Sequence, residues 1–341
     1  MGNYILKDEN AVYYECGYSC DNVTFINLEG DRYFITDARY TIEANENITN
    51  AEVIESKDLI KSAQTVLKKA KIKKITFDGN DFSFESYSKL VNGLNIKFVN
   101  QPSFSHKKRI IKTKKEIKYL TKASKLGRKG FSALAKYIRK NGFDQDESFL
   151  HFKAIEKMTQ TGLLDVSFDP IVAINENSAK PHALPTDKKL IVNDLLLVDA
   201  GVKYKRYCSD RTCTAHVDFE KLNFKREQKF KNKKQQKIYD IVLKAQLNAI
   251  NKARSGMKAK EIDALARSVI EKAGYAKQFV HSTGHGVGLD IHEHPYINSK
   301  SDVIIEDGMV FTIEPGIYLP EEFGVRIEDT VVMKNGRAVI L

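Results

Sequence analysis

The stretch HSTGHGVGLDIHEHP at His281–Pro295, followed by MVFTIEPGIY at Met309–Tyr318 and GVRIEDTVV at Gly324–Val332, decides how the rest of this chain is read. Its apolar residues are β-prone, yet His285, Glu314 and Glu328 sit among Val, Ile, Phe and Tyr. Burying such groups costs desolvation free energy unless something pairs with them. A bound metal ion suits two carboxylates and an imidazole.

Working outward, the segment has an echo earlier in the chain. NDLLLVDAG (Asn193–Gly201) followed by YCSDRTCTAHV (Tyr207–Val217) repeats the pattern of EDGMVFTIEPG (Glu306–Gly316) followed by GVRIEDTVVM (Gly324–Met333). Each copy is an apolar strand ending in an acid, then a second β-run carrying another acid. Two such hairpins facing each other would bring Asp199, Asp210, Glu314 and Glu328 to one centre. Four carboxylates that close force protonation or counter-ions. Two divalent metals would neutralise them, and with His285 the oxygen-rich set suits Mn, Co, Fe or Zn, unlike a Cys-rich structural zinc site. A metal pair can hold a water, lower its pKa and polarise a carbonyl, so hydrolysis is the expected reaction.

The remainder frames this centre. At 341 residues and 42% hydrophobic content the chain has room for two domains with their own cores. From Asn3 to about Lys112 short β-like runs (AVYYE, VTFINLEG, DRYFITD, KITFDG, IKFVN) alternate with helical ones (SKDLIKSAQTVLKKAK, FSFESYSKLVNGL), with a hairpin turn at Glu29-Gly30-Asp31. That order implies an α/β domain over 1–112, and no Gly-rich phosphate loop follows a strand there. The polar stretch around Gln101–Thr113 reads as a linker. Thr113-Lys-Lys-Glu116 has the capping-box pattern, so a second domain begins at 113 and runs to 341. Its helices are expected over Thr113–Lys140, Asp146–Thr161, Lys234–Ala253 and Lys260–Ala273, with β-rich sequence between and after them.

The net charge of +11 invites a nucleic-acid reading. Between Lys107 and Lys140, however, fourteen Lys or Arg face a single acid, Glu116, on a segment whose apolar residues recur at helical spacing. The lysines are the solvated face of an amphipathic helix, and no nucleic-acid partner is expected. No run is long and apolar enough to span a membrane, and MGNYILKDENAVYYE does not read as a secretory signal. Cys16, Cys20, Cys208 and Cys213 form no CxxC pair. The expectation is a cytoplasmic chain with reduced thiols.

Six phrases then occur in one order: PHA at Pro181, VDAG at Val198, YCSD at Tyr207, HSTGHGVGLDIHE at His281, TIEPGIY at Thr312 and GVRIED at Gly324. In these the second domain resembles the pita-bread metallopeptidases of family M24, and the whole chain resembles the Xaa-Pro peptidases among them, aminopeptidase P and prolidase. ITDARY, at Ile35–Tyr40, is similar to the creatinase-type amino-terminal domain of these enzymes. The resemblance implies an α/β (α+β) fold: a creatinase-type domain, then a pita-bread catalytic domain with pseudo-twofold β-hairpins. It also implies two divalent metal ions, manganese first among Mn, Co, Zn and Fe. Asp199 would chelate one metal, His285 and Glu314 the other, and Asp210 and Glu328 would bridge both. Glu314 would double as general base, His292 would contact the scissile carbonyl or the tetrahedral intermediate, His182 and His281 would line the substrate pocket, and Arg326 would support the bridging glutamate. Tyr207 and Tyr318 read as packing residues.

Three positions depart from the family pattern. Cys213 stands where arginine is common, with Arg211 two places earlier; Asn175 and Glu176 replace a Gly-containing turn; and Tyr296 follows Pro295 where many dipeptide-specific prolidases carry a basic residue. The last departure tilts the expectation toward an Xaa-Pro aminopeptidase, with prolidase as the alternative and a non-catalytic peptide- or nucleic-acid-binding module as the rival from another class. Proline-containing peptides are the expected substrates and a homodimer the expected assembly.

Overall fold

The computed structural model describes residues 2–341, which divide into two compact units, one up to Arg109 and the other Ile110–Leu341.

The amino-terminal unit holds strands β1 (Tyr4–Leu6), β2 (Val23–Leu28), β3 (Asp31–Thr36), β4 (Glu52–Glu55), β5 (Lys74–Phe77) and β6 (Lys97–Asn100) in one mixed sheet of order β4-β3-β2-β1-β5-β6. The period of two in each strand feeds two cores. Tyr4, Leu6, Phe25 and Phe34 pack with helices α1 (Glu9–Cys16) and α2 (Thr41–Asn47); Ile5, Ile26 and Ile35 pack with α3 (Leu59–Lys69) and α4 (Phe84–Val91). Glu29 and Gly30 turn β2 into β3 with positive φ at both residues, the geometry a two-residue hairpin needs.

Two local expectations fail here. AVYYE is helical within α1, because Asp8 caps its start by accepting from the Ala11 N–H and Gly17 ends it at φ +79°. Caps at both ends override the β-propensity of Val and Tyr. The stretch read as a linker contains a short helix, α5 (Phe104–Lys108).

The second unit begins with α6 (Lys114–Asn141) and α7 (Glu147–Met158). The capping box of α6 forms as expected: Thr113 Oγ1 accepts from the Glu116 N–H at 3.2 Å, and the Glu116 carboxylate accepts from the Thr113 N–H at 2.7 Å. Leu120, Ala123, Leu126, Phe131, Leu134 and Ile138 form its buried face, which leaves Lys118, Lys122, Lys125, Lys129 and Lys136 at or toward the surface. A Cβ at Gly130 would meet Met158 Sδ at 2.4 Å, so glycine lets α6 and α7 pack closely. This helix pair covers the antiparallel sheet of β7 (Ile171–Ile174), β8 (Leu195–Asp199) and β11 (Thr212–His216), ordered β11-β8-β7; the short β9 (Lys203–Tyr204) and β10 (Tyr207–Cys208) form a hairpin within the β8–β11 connection.

A second helix pair, α8 (Lys233–Lys252) and α9 (Ala259–Lys272), covers a second antiparallel sheet. Its strands are β12 (Gly284–Gly286), β13 (Glu293–Ile297), β14 (Val310–Ile313), β17 (Asp329–Lys334) and β18 (Arg337–Ile340), in the order β13-β12-β14-β17-β18. A ribbon of β15 (Gly316–Leu319) and β16 (Phe323–Arg326) leads from β14 to β17. Each half is thus a helix pair on a sheet with one acid-bearing hairpin, β8–β11 or β14–β17, as the sequence echo implies.

Candidate metal centre

Asp199 ends β8, Asp210 lies two residues before β11, Glu314 follows β14 and Glu328 precedes β17. The hairpin ends are stitched by symmetry-related threonines. Thr212, two residues after Asp210, donates to Glu328 Oε2 at 2.8 Å; Thr330, two residues after Glu328, donates to the Asp210 carbonyl at 3.0 Å. The Glu328 N–H also donates to the Thr212 carbonyl at 3.0 Å. The four acids thereby line one cavity of about 480 Å³, together with His182, His281, His285, His292, Tyr296 and Arg326.

His285 reaches this floor from β12. Its Nε2 lies 3.3 Å from Glu314 Oε1 and 3.6 Å from Asp210 Oδ2, and its Nδ1 faces the Gly286 carbonyl at 3.1 Å. Thr312 donates to Glu314 Oε1 at 3.0 Å and accepts from the His285 N–H at 3.1 Å, fixing the acid and the imidazole together. Donor atoms of Asp210, His285 and Glu328 all fall within 4.8 Å of one another, a spacing that admits a metal ion.

The chemistry of the donors fits divalent cations. Burial and the neighbouring carboxylates of Asp199 and Glu314 push the Asp210 carboxyl well above its ordinary range, and burial with Asp210 does the same to Glu328. Burial pushes Glu314 up to about 7. Asp199 Oδ1 and Glu328 Oε1 are buried and accept no hydrogen bond. Unbonded carboxylate oxygens in a buried acid cluster are costly alone and become ligands once cations arrive.

Arg326 is the cluster's protein cation. Its Nη2 donates to Asp199 Oδ2 at 2.7 Å, Nε to Thr212 Oγ1 at 2.9 Å, and Nη1 to Tyr318 Oη at 2.8 Å and to the Pro181 carbonyl at 3.2 Å. It therefore supports Asp199 directly and reaches Glu328 only through Thr212. Tyr318 also meets His281 Nε2 at 2.8 Å, so the residue read as packing links two cavity residues; Tyr207, which donates to Glu116 at 3.0 Å, does act as packing. His281 is set from behind by Arg267 of α9, which donates to its carbonyl at 2.9 Å and is itself held by Asp263. Burial pushes His281 and His292 down to about 4, so both rings are neutral near pH 7.

The three departures have structural counterparts. Cys213 is buried opposite Val198, while Arg211 turns toward Asp329 at 3.8 Å and the Phe224 carbonyl at 3.3 Å. Asn175 adopts φ +43°, a conformation Asn tolerates, and its amide joins Asp194 to the Leu195 N–H. Tyr296 pairs with His285 across β12–β13 and lines the cavity.

The description of metallopeptidase family M24 matches residues 118–335, and that of the creatinase/prolidase N-terminal domain matches residues 2–111. The Xaa-Pro dipeptidase of Pyrococcus furiosus is 42% identical over 229 residues, 67% of this chain and 62% of that relative's length. The Xaa-Pro dipeptidase of Pyrococcus horikoshii is 34% identical over 336 residues, 97% of this chain and 90% of the relative. Among solved structures, an Xaa-Pro dipeptidase from Bacillus anthracis superposes with a TM-score of 0.90 at 32% identity, covering 99% of this chain and 92% of that one. An X-Pro aminopeptidase from Thermotoga maritima MSB8 gives 0.87 at 30%, covering 100% and 95%. These names favour prolidase, the alternative of the sequence reading, over the aminopeptidase it put first. With a pita-bread fold, an acid–imidazole floor able to take divalent metal and both family matches in register with the fold, this chain belongs to metallopeptidase family M24, with a creatinase-type amino-terminal domain.

Proposed function

We propose that this metallopeptidase is an Xaa-Pro dipeptidase, a prolidase, using two divalent metal ions. The observation that carries the reading is the convergence of Asp199, Asp210, His285, Glu314 and Glu328 on one cavity floor with two buried, unbonded carboxylate oxygens. Asp199 would hold one metal, His285 and Glu314 the other, and Asp210 and Glu328 would be shared. Such a pair, when bound, polarises a carbonyl and lowers the pKa of the attacking water.

The chain's own groups divide the remaining work. Glu314 takes the water's proton as general base, its Oε1 oriented by Thr312. His292, neutral and without a hydrogen bond among the described residues, donates to the developing oxyanion. His182 and His281 shape the wall, and Arg326 holds Asp199. An Xaa-Pro bond offers no N–H, so it needs a site that does not read one.

The names of the relatives support dipeptides. Tyr296 supports a second reading, an Xaa-Pro aminopeptidase for longer peptides, because no basic side chain follows Pro295 to hold a dipeptide's carboxylate. Manganese is the metal we propose, with Co, Zn or Fe as substitutes. A homodimer, a domain boundary at 112/113 and a cytoplasmic setting complete the proposal; the four free, buried cysteines suit a reducing compartment.

The test compares hydrolysis of an Xaa-Pro dipeptide and an Xaa-Pro-Xaa tripeptide with added Mn and with chelator. Faster metal-dependent dipeptide cleavage is the expected result. Exclusive tripeptide cleavage selects the second reading, and absence of both metal uptake and cleavage overturns the two together.

A further inference from the structure

A second cavity, of about 710 Å³, is lined by a different chemistry. Lys125 and Arg128 come to it from α6, Arg211 from just before β11, Lys225 and Arg226 from the segment before α8, and Lys334 from the end of β17. Against these six cations stand the carboxylates of Glu227 and Asp329 and the main-chain oxygen of Leu341, which accepts from Arg128 Nη1. Asp329 is already engaged: Arg226 donates to it at 2.5 Å, Gln246 at 3.0 Å, and Arg211 lies 3.8 Å away.

The surplus lies on the lysines. Lys125, Lys225 and Lys334 make no ion pair among the described residues. The Nε atoms of Arg211 and Arg226 are buried without a hydrogen-bond partner. Leaving such a donor unbonded is unfavourable, and a solvated lysine face, the ordinary reading of a basic helix, does not bury arginine donors. Arg128 is pushed below its usual range by burial and, after that, by the charge of Arg211, with Asp329 opposing. A concave surface of one sign focuses its field on small ions, and guanidinium pairs match the oxygens of a phosphate.

The cavity also backs onto the metal centre. Arg211 follows Asp210 and Asp329 follows Glu328 in sequence, and neighbouring residues of an extended chain project to opposite sides. The carboxylates proposed as shared metal ligands face one cavity while their neighbours line the other.

We propose that this cavity is a binding site for a phosphate-class anion, free or as the monoester of a small molecule. The proposal does not depend on which peptide is cleaved.

The experiment titrates inorganic phosphate, and separately adenosine monophosphate, into the metal-loaded protein by calorimetry, with chloride as the control anion. The comparison is the double variant Lys225→Gln/Lys334→Gln, whose substitutions lie on the exposed rim. Saturable binding is expected, weakened at least about tenfold in the double variant with metal content and peptide hydrolysis retained. Tighter binding of the monoester assigns the site to an esterified phosphate, and equal binding to the free ion. Unchanged affinity in the double variant would place the anion on the metals and overturn the proposal, as would the absence of binding at millimolar concentration. Should the double variant unfold, Lys125→Gln alone carries the same comparison.

Discussion

Tyr318 fixes the protonation pattern of its neighbours. Arg326 has no acceptor capacity, so Nη1 must donate to the phenol oxygen, and the phenol's proton goes to His281 Nε2. His281 then carries its own proton on Nδ1, which donates to the Ser282 carbonyl at 2.8 Å. Both ring nitrogens are occupied, which makes His281 a positioning group and leaves His292 and His182 as the cavity rings able to donate to substrate. Tyr318→Phe is expected to cost about 1–3 kcal/mol of stability, because a buried Arg326 donor loses a partner. It should lower kcat about ten- to a hundredfold with little change in KM. Denaturant unfolding and steady-state kinetics check this, and wild-type kinetics would return Tyr318 to packing alone. The acids proposed as ligands stood out in the sequence because their types recur in two echoing hairpins. A phenol inside an apolar strand has packing as its ordinary reading, and its partner His281 is 37 residues away.

At the scale of elements, three-residue β12 is the most constrained carrier of a functional group. A Cβ at Gly284 would lie 1.9 Å from the Thr312 carbonyl oxygen, and one at Gly286 would lie 2.2 Å from that of His294. The backbone is gripped by β13 on one side and β14 on the other, which is how a short strand presents His285 reproducibly. Gly284→Ala must push β12 off β14. It is expected to cost about 1–3 kcal/mol, the usual range for overpacking, and to lower occupancy of the metal site proposed to use His285. Metal analysis of the purified variant beside its unfolding curve tests this; full metal content would show that β12 can shift without losing its ligand. The long helices were legible because α6, α8 and α9 repeat their apolar residues over many turns. Helix α1 was not: eight residues give few periods, and its decisive features are single capping residues, Asp8 and Gly17.

Across the whole molecule, the acid cluster sets how the protein responds to pH. An ordinary glutamate near 4.5 is protonated below that value in both folded and unfolded chains, whereas Glu314 in the metal-free fold holds its proton up to about 7. Between those values the unfolded chain binds fewer protons, so stability of the metal-free protein falls as pH rises through the window. The raised carboxyls of Asp210 and Glu328 act in the same direction. His281 and His292, lowered to about 4 from an ordinary 6.5, act the opposite way below about 6.5, so scanning calorimetry of chelator-treated protein should show a falling Tm from pH 6.5 to 8, with metal restoring it most at the alkaline end. A flat profile would mean that the cluster is ionised without cations. The stitching of the two hairpins has a consequence for time. Thr212 reaches Glu328 across 116 residues and Thr330 reaches Asp210 across 120, so this joint rests on long-range contacts, which are expected to form late in folding. Ligands that meet only after such long-range closure contribute late in folding, and bound metal then acts mainly by slowing the escape from the native state, leaving the speed of arrival nearly unchanged.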